Sequence, residues 1–260
     1  ALIVRELRER LGAQLDDAVV DYLPIRHDGS DATERSALAA VAPRERVLSH
    51  LHLLEKAGLE PIAIDIRPAA LARLVGAMSG PSHPNVLLIN FGRDRSYLTV
   101  LWGKRLMLDR QIEFGERALL AQLRESLNLD DDVAGALLYG DPNAQGQAIG
   151  VDAAEVAHTV AEILHPLWTA LAGEIDKTLI YVASKTRGQS VQRVLVRGSL
   201  ARHANCAQFL RRTLAVPVDV LQPLAAFGDS MSIAALPVSD DDGGMALAAG
   251  MALRRTDDDD

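Results

Sequence analysis

Residues 86–112, VLLINFGRDRSYLTVLWGKRLMLDRQI, decide the fold. The first six, Val86–Phe91, are an unbroken apolar run, the pattern of a strand buried on both faces in the middle of a sheet. Arg93–Arg95 supply a polar turn, and Ser96–Trp102 are β-branched and aromatic enough for a second strand. Gly103-Lys104 is a two-residue hairpin signal, after which Arg105–Ile112 return as a third strand. Three short strands joined by tight turns predict an antiparallel meander.

Toward the C-terminus the pattern changes to helices and single strands. Gly115 leads into a helix over Glu116–Leu127, followed by a helical insert, Asp130–Tyr139, a loop, Gly140–Gly150, and a long helix, Asp152–Ser184. Strand Gln192–Val196, helix Ala201–Leu214, strand Val216–Leu221, a long loop and a helix over Met245–Arg255 complete the series. A meander followed by alternating β and α units is the order of a ribonuclease H-like domain, the building block of actin-like folds.

Toward the N-terminus lies a smaller α/β unit. Leu2, Ile3, Leu7, Leu11 and Leu15 recur at helical spacing. Ala18–Ile25 and Ser36–Ala42 are strand-like, separated by a polar loop, Arg26–Glu34. Pro43 suits the first turn of a helix that runs to Ala57 and stops at Gly58. Leu59–Ile66 is predicted as a third strand, and Pro68 opens a helix over Ala69–Met78. The stretch Ser79–Asn85 holds two prolines and a glycine, which places the domain boundary there. The expected domains are therefore 1–78, a small α/β subdomain, 86–255, a ribonuclease H-like domain, and an acidic tail, 256–260.

Composition narrows the function classes. The 260 residues carry 27 Lys+Arg against 35 Asp+Glu, a net −8. Ten of those acids sit in three runs, Asp130–Asp132, Asp240–Asp242 and Asp257–Asp260, and without them 25 acids face 27 bases. So near-neutral a body argues against a nucleic-acid partner. The single cysteine, Cys206, excludes an intrachain disulfide and a four-thiolate zinc site. No run of 18 uncharged apolar residues occurs; Ile163–Gly173 spans 11 and contains His165 and Pro166, so no direct membrane insertion is expected. The opening Ala-Leu-Ile-Val-Arg-Glu carries no leader pattern and has the character of a segment interior to a longer chain.

Five segments then resemble one family in its own order. Gly58–Pro68 (GLEPIAIDIRP), with Ala57 before it and Ala70-Leu71 after, is similar to a segment of PilM, the actin-like family of type IV pilus assembly. Leu88–Ser96 (LINFGRDRS) resembles that family's phosphate-binding strand and turn, and Gln111–Ala118 (QIEFGERA) its following segment. Val194–Leu210 resembles the adenosine segment, and Ala248–Arg254 (AAGMALR) the last helix. The resemblance implies ATP with Mg as the group held by an intact cleft, and Asn90, Gly92, Arg95, Ser96, Gly115, Gly198, Ser199 and Gly250 as the matching nucleotide positions.

The departures from that pattern all point one way. Asn90 stands where an acidic residue handles the magnesium-bound water, and a neutral amide neither acts as a base nor balances a metal charge. Gly198-Ser199 replaces a double-glycine turn, and Ala134–Leu138 lacks the Glu and Lys expected for sugar and base. The opening glycine-rich hairpin, the other half of the phosphate clamp, has no counterpart in these residues. The site is thus expected to be weak or vestigial, with no catalytic and no metal-ligating residue. What the resemblance implies is a non-enzymatic scaffold, cytoplasmic and peripheral to the bacterial inner membrane. Its expected partner is the cytoplasmic N-terminal peptide of a PilN-like membrane protein, held between the small subdomain (the inserted domain of that layout) and the first actin-like subdomain. Other pilus or secretion platform proteins are further expected partners. The alternatives are an active ATPase or kinase of the same superfamily, with Asp65 or Asp94 as its carboxylate, or a GspL-like component of type II secretion. MshI and FtsA share the scaffold, but Asp257–Asp260 is the opposite of FtsA's amphipathic membrane helix.

Other constellations have blander explanations. Gly228-Asp229-Ser230 has the form of an esterase nucleophile block but lacks a downstream histidine, the last being His203. His50 and His52 are badly spaced for one metal, and His158 and His165, seven apart, show no acidic partner in the sequence. Arg93 and Arg95 are expected to be solvated and Cys206 to pack a helix. The three Asp runs lack the alternating calcium-loop pattern.

Overall fold

The computed structural model describes residues 2–25, 36–79, 83–140, 152–223 and 243–254. The chain forms two compact units that divide between Ala69 and Ala70.

The first unit begins with α1 (Leu2–Leu11) and a 3-10 turn (Gly12–Leu15). β1 (Ala18–Ile25) and β2 (Ser36–Pro43) pair antiparallel, with Val20 opposite Val41. α2 (Arg44–Lys56) follows with Pro43 as N-cap. The expected third strand is absent: residues 59–66 are irregular, and the sheet has two strands. Pro61 has no N–H to donate, the Leu59 N–H closes the end of α2 on the Leu54 carbonyl, and the Ile66 N–H bonds the Asp65 carboxylate at 2.8 Å. Local bonds thus use donors that a ladder needs.

α3 (Arg67–Met78) straddles the division. The sequence marks Ser79–Asn85 as the boundary, but Ala70, Leu71, Leu74 and Val75 are buried, and Arg73 Nε donates to the Gly250 carbonyl at 3.1 Å. Most of α3 therefore belongs to the second unit.

That unit is built on β3 (Val86–Phe91), β4 (Ser96–Trp102), β5 (Arg105–Ile112), β6 (Arg193–Gly198) and β7 (Val218–Val220), in the order β5-β4-β3-β6-β7. β3 pairs antiparallel with β4 and parallel with β6, and β7 continues parallel to β6. The expected meander and central strand are present, with Gly103 turning the hairpin at φ +58. Asn85 ties the lower ends together. Its carbonyl accepts from the Gln192 N–H at 2.8 Å, and its side-chain oxygen from the Gly103 N–H at 3.0 Å.

Successive side chains of a strand face opposite ways. Leu87, Ile89 and Phe91, with Leu98, Val100, Val194 and Val196, form one buried face. Against it pack α4 (Glu116–Leu127), α6 (Ala153–Lys185) and α7 (Ala204–Thr213). Along α6 the buried stripe Val160, Leu164, Trp168, Leu171, Ile175, Thr178, Val182 repeats every three or four residues. Each fully buried leucine on this face contributes about 1.5–3 kcal/mol. The short α5 (Asp131–Tyr139) sits before α6, capped by the Asp130 carboxylate on the Val133 N–H at 2.9 Å. One member of the first Asp run therefore has a structural use. The expected helix Ala201–Leu214 is split: a 3-10 turn, Ser199–Arg202, comes first and α7 starts after His203. α8 (Gly243–Ala252) closes the unit. A Cβ at Gly250 would overlap the Ala70 carbonyl, so glycine lets α8 approach α3.

Candidate functional site

In an open sheet with parallel strands, ligands bind beyond the strands' carboxyl ends, where neighbouring connections part. Here that place is the end of β3 and β6, where Phe91 stands opposite Gly198 in register. From Phe91 the chain turns back into β4; from Gly198 it enters the 3-10 turn toward α7.

Four predicted residues meet at the first turn. The Gly92 N–H donates to Ser96 Oγ at 3.4 Å, and the buried Ser96 hydroxyl donates to the Phe114 carbonyl at 2.6 Å. The Glu116 N–H bonds the Gly92 carbonyl at 3.2 Å and the Arg117 N–H the Arg93 carbonyl at 2.8 Å. A Cβ at Gly115 would lie 2.6 Å from the Arg93 oxygen, so the β3–β4 turn is seated on the start of α4. Free N–H groups at a helix start attract anions, but the first two of α4 are already used by this turn. Arg95 pairs with Glu113 at 3.3 Å, and Asp94 with Arg117 at 2.7 Å, both at exposed positions.

At the end of the neighbouring strand, Gly198 has φ +91 and ψ −169, a region that is essentially glycine's own. A Cβ there would overlap the Phe91 carbonyl. Asn90, one step earlier on β3, has Arg197 as its parallel partner, and Arg197 is 4% exposed. Gly250 lies on α8 against α3, where its carbonyl accepts from Arg73 and its missing Cβ leaves room for the Ala70 carbonyl.

Sequence reasoning passed over the residues that cover this turn. Tyr139, the last residue of α5, meets the His203 ring edge-on at 6.4 Å. His203 lies 6.1 Å from Trp168, which contacts Phe114 at 5.6 Å and Phe209 at 5.8 Å, and Phe114 reaches Phe91 at 6.1 Å. An aromatic train thus runs from the end of β3 to Tyr139. Burial raises the Tyr139 pKa well above a phenol's usual value, the Glu116 carboxylate beside it adds to that, and the nearby Ser199 hydroxyl acts the other way. Burial also lowers the His203 pKa, favouring the neutral ring. Ser199 Oγ and His203 Nδ1 are buried without a well-formed hydrogen bond to protein. The signal for Tyr139 was present: Ala134–Leu138 is apolar, and the polar group comes one residue later.

The remaining candidates separate clearly. His158 has an acidic neighbour that spacing did not suggest, Glu162 at 3.4 Å, one turn on along α6; with His165 they line a shallow open concavity. His52 lies 3.8 Å from Glu55 on α2. Among the described residues no group of three His, Cys, Asp or Glu is placed to hold a metal ion. Cys206 is buried, and burial pushes its thiol up to about 12. Among the described residues no helix is long and apolar enough to cross a membrane. Gly228-Asp229-Ser230, Asp240–Asp242 and Asp257–Asp260 lie outside the described residues.

Three antiparallel strands continued by two parallel ones, with a glycine turn at the end of each central strand, define an actin-like domain of the ribonuclease H type. Residues 3–256 match the family model described as type IV pilus assembly protein PilM, and the chain belongs to that family. A solved structure, the PilM-PilN type IV pilus biogenesis complex, is similar with a TM-score of 0.67 and 19% identity, over 97% of this chain and 70% of that one. More distantly similar is the ethanolamine utilization protein EutJ from Carboxydothermus hydrogenoformans, with TM-score 0.48 and 15% identity over 67% of this chain and 56% of that one. MreB 5 of Spiroplasma citri bound to AMPPNP gives 0.47 and 12%, over 70% and 62%.

Proposed function

We propose that this PilM-family chain is a non-enzymatic scaffold of the pilus assembly platform. Its first unit, in the place of the inserted small subdomain, docks the cytoplasmic N-terminal peptide of a PilN-like membrane protein, which puts the chain in the cytoplasm beside the inner membrane. The observation that carries this is the surface of the first unit. Among its described apolar side chains Leu15 is buried, while Val19, Tyr22, Leu23, Leu48, Leu53 and Ile62 are exposed. So much apolar surface on a unit of this size marks a binding face, and a paired strand with an open edge suits an extended or amphipathic peptide.

The strand-end cleft fits Mg-ATP poorly. Asn90 offers no carboxylate, Asp94 is paired with Arg117, the Ser96 hydroxyl is committed to Phe114, and the Gly92–Arg93 carbonyls occupy the start of α4. Asp65 accepts from the Ile66 N–H in the other unit. The glycine turns favour a fold relic over a working phosphate site.

The test is fluorescence anisotropy with a labelled peptide from the N-terminus of the PilN-like partner. Saturable binding that weakens at least tenfold in Tyr22→Ser and Leu53→Ser is expected, with no phosphate release from Mg-ATP. Binding indifferent to both substitutions, or steady ATP turnover, sinks the scaffold reading.

A further inference from the structure

We propose that Tyr139 is a lid which this chain closes over its own Gly198–Ser199 turn, shutting the strand-end cleft to planar heteroaromatic ligands of nucleobase size. The inference rests on the reading above that the cleft does not work as a nucleotide site, and it names the residue that keeps it shut.

One side chain joins three elements here. Tyr139 ends α5, its ring stands on His203 beyond the β6–α7 turn, and its hydroxyl faces Glu116 in the first turn of α4 and Ser199 in the turn itself. What lies beneath is closely packed. His203 and Cys206 are buried, Trp168 is wedged among Phe114, Phe209 and His203, and Gly198 has no room even for a methyl group against Phe91. What lies above can move. Tyr139 is 45% exposed and sits at the last turn of a nine-residue helix, so a change of side-chain rotamer uncovers His203 without disturbing the sheet. The face it would uncover is aromatic and the rim polar, from Ser199 and Glu116, which is the make-up of a site for a flat heterocycle. A pocket whose open form is a minor state binds more weakly in proportion to that minority.

Adenosine is the probe, titrated into the 260-residue chain while the indole N–H of Trp168 is followed by NMR. The wild type is expected to stay unshifted to about 10 mM. Tyr139→Ala is expected to show a saturable Trp168 shift with affinity at least tenfold above any wild-type response, and Glu116→Ala, at a partly exposed helix position, a smaller gain. If Tyr139→Ala does not fold, Glu116→Ala carries the test. Equal binding by wild type and variants overturns both the lid and the closed-cleft reading. Silence from the folded variants at about 10 mM overturns the lid alone.

Discussion

Substituting Gly198 by alanine should destabilise the second unit severely, and the size follows from the backbone. At φ +91 and ψ −169 a residue with a Cβ is strained by about 1–3 kcal/mol. The new methyl group would also overlap the Phe91 carbonyl of the parallel strand. Relieving that overlap means parting β3 from β6 at their ends, an overpacking cost of about 1–3 kcal/mol. The sum is about 2–6 kcal/mol, a large share of a domain's total stability. Gly173→Ala is the control. It sits inside α6 with nothing within 4 Å of the added Cβ, so it should stabilise by about 0.5–1 kcal/mol. Both changes remove the same freedom from the unfolded chain, so the gap between them belongs to the folded state. Urea unfolding followed by tryptophan fluorescence, with Trp168 in the same unit as both sites, measures it as a shift in midpoint. A Gly198→Ala midpoint within about 1 kcal/mol of the wild type would falsify the tight β3–β6 closure.

Further outcomes test the core and its titrating groups. Burial holds the His203 pKa below its ordinary 6.5, so the unfolded chain binds the proton first. Stability should therefore be complete above about pH 6.5 and fall as pH drops, by up to about 1.4 kcal/mol per unit until the folded ring titrates; His203→Gln should flatten that slope in chemical unfolding at pH 5 to 7. Cys206, buried with its thiol raised to about 12, should resist a thiol reagent in the native state and react on unfolding; fast native labelling contradicts its placement. Leu164→Ala, at a fully buried site on α6, should cost about 2–5 kcal/mol. Leu48→Ala, on the exposed side of α2, should stay within about 0.5 kcal/mol in thermal unfolding.

The second unit was legible because its signals are local and strong. An apolar run such as Val86–Phe91 has few alternatives to a central strand, and Gly103-Lys104 forces the hairpin that fixes the register of β4 on β5. Leu59–Ile66 shows the limit of such reasoning. Its residues suit a strand, yet strand propensity reports packing against neighbours more than any intrinsic backbone preference, and here the sheet remains two-stranded. The end of the first domain misled for a related reason. Proline and glycine at Ser79–Asn85 mark where the chain bends, whereas the division between units follows which core the buried face of α3 joins.

The candidate site divides along the same line. Sequence alone determined the order of the five strands in the second unit, the glycines at the two turns and the amide at Asn90, because each is written in a residue or its near neighbours. Only the tertiary structure decided that Ser96 is spent on Phe114, that Gly250 serves α3, and that Tyr139 stands over His203. Tyr139 and His203 are 64 positions apart in the chain and come from different elements. No periodicity records such a meeting, because it is set by how helices of different length pack on one face of a twisted sheet.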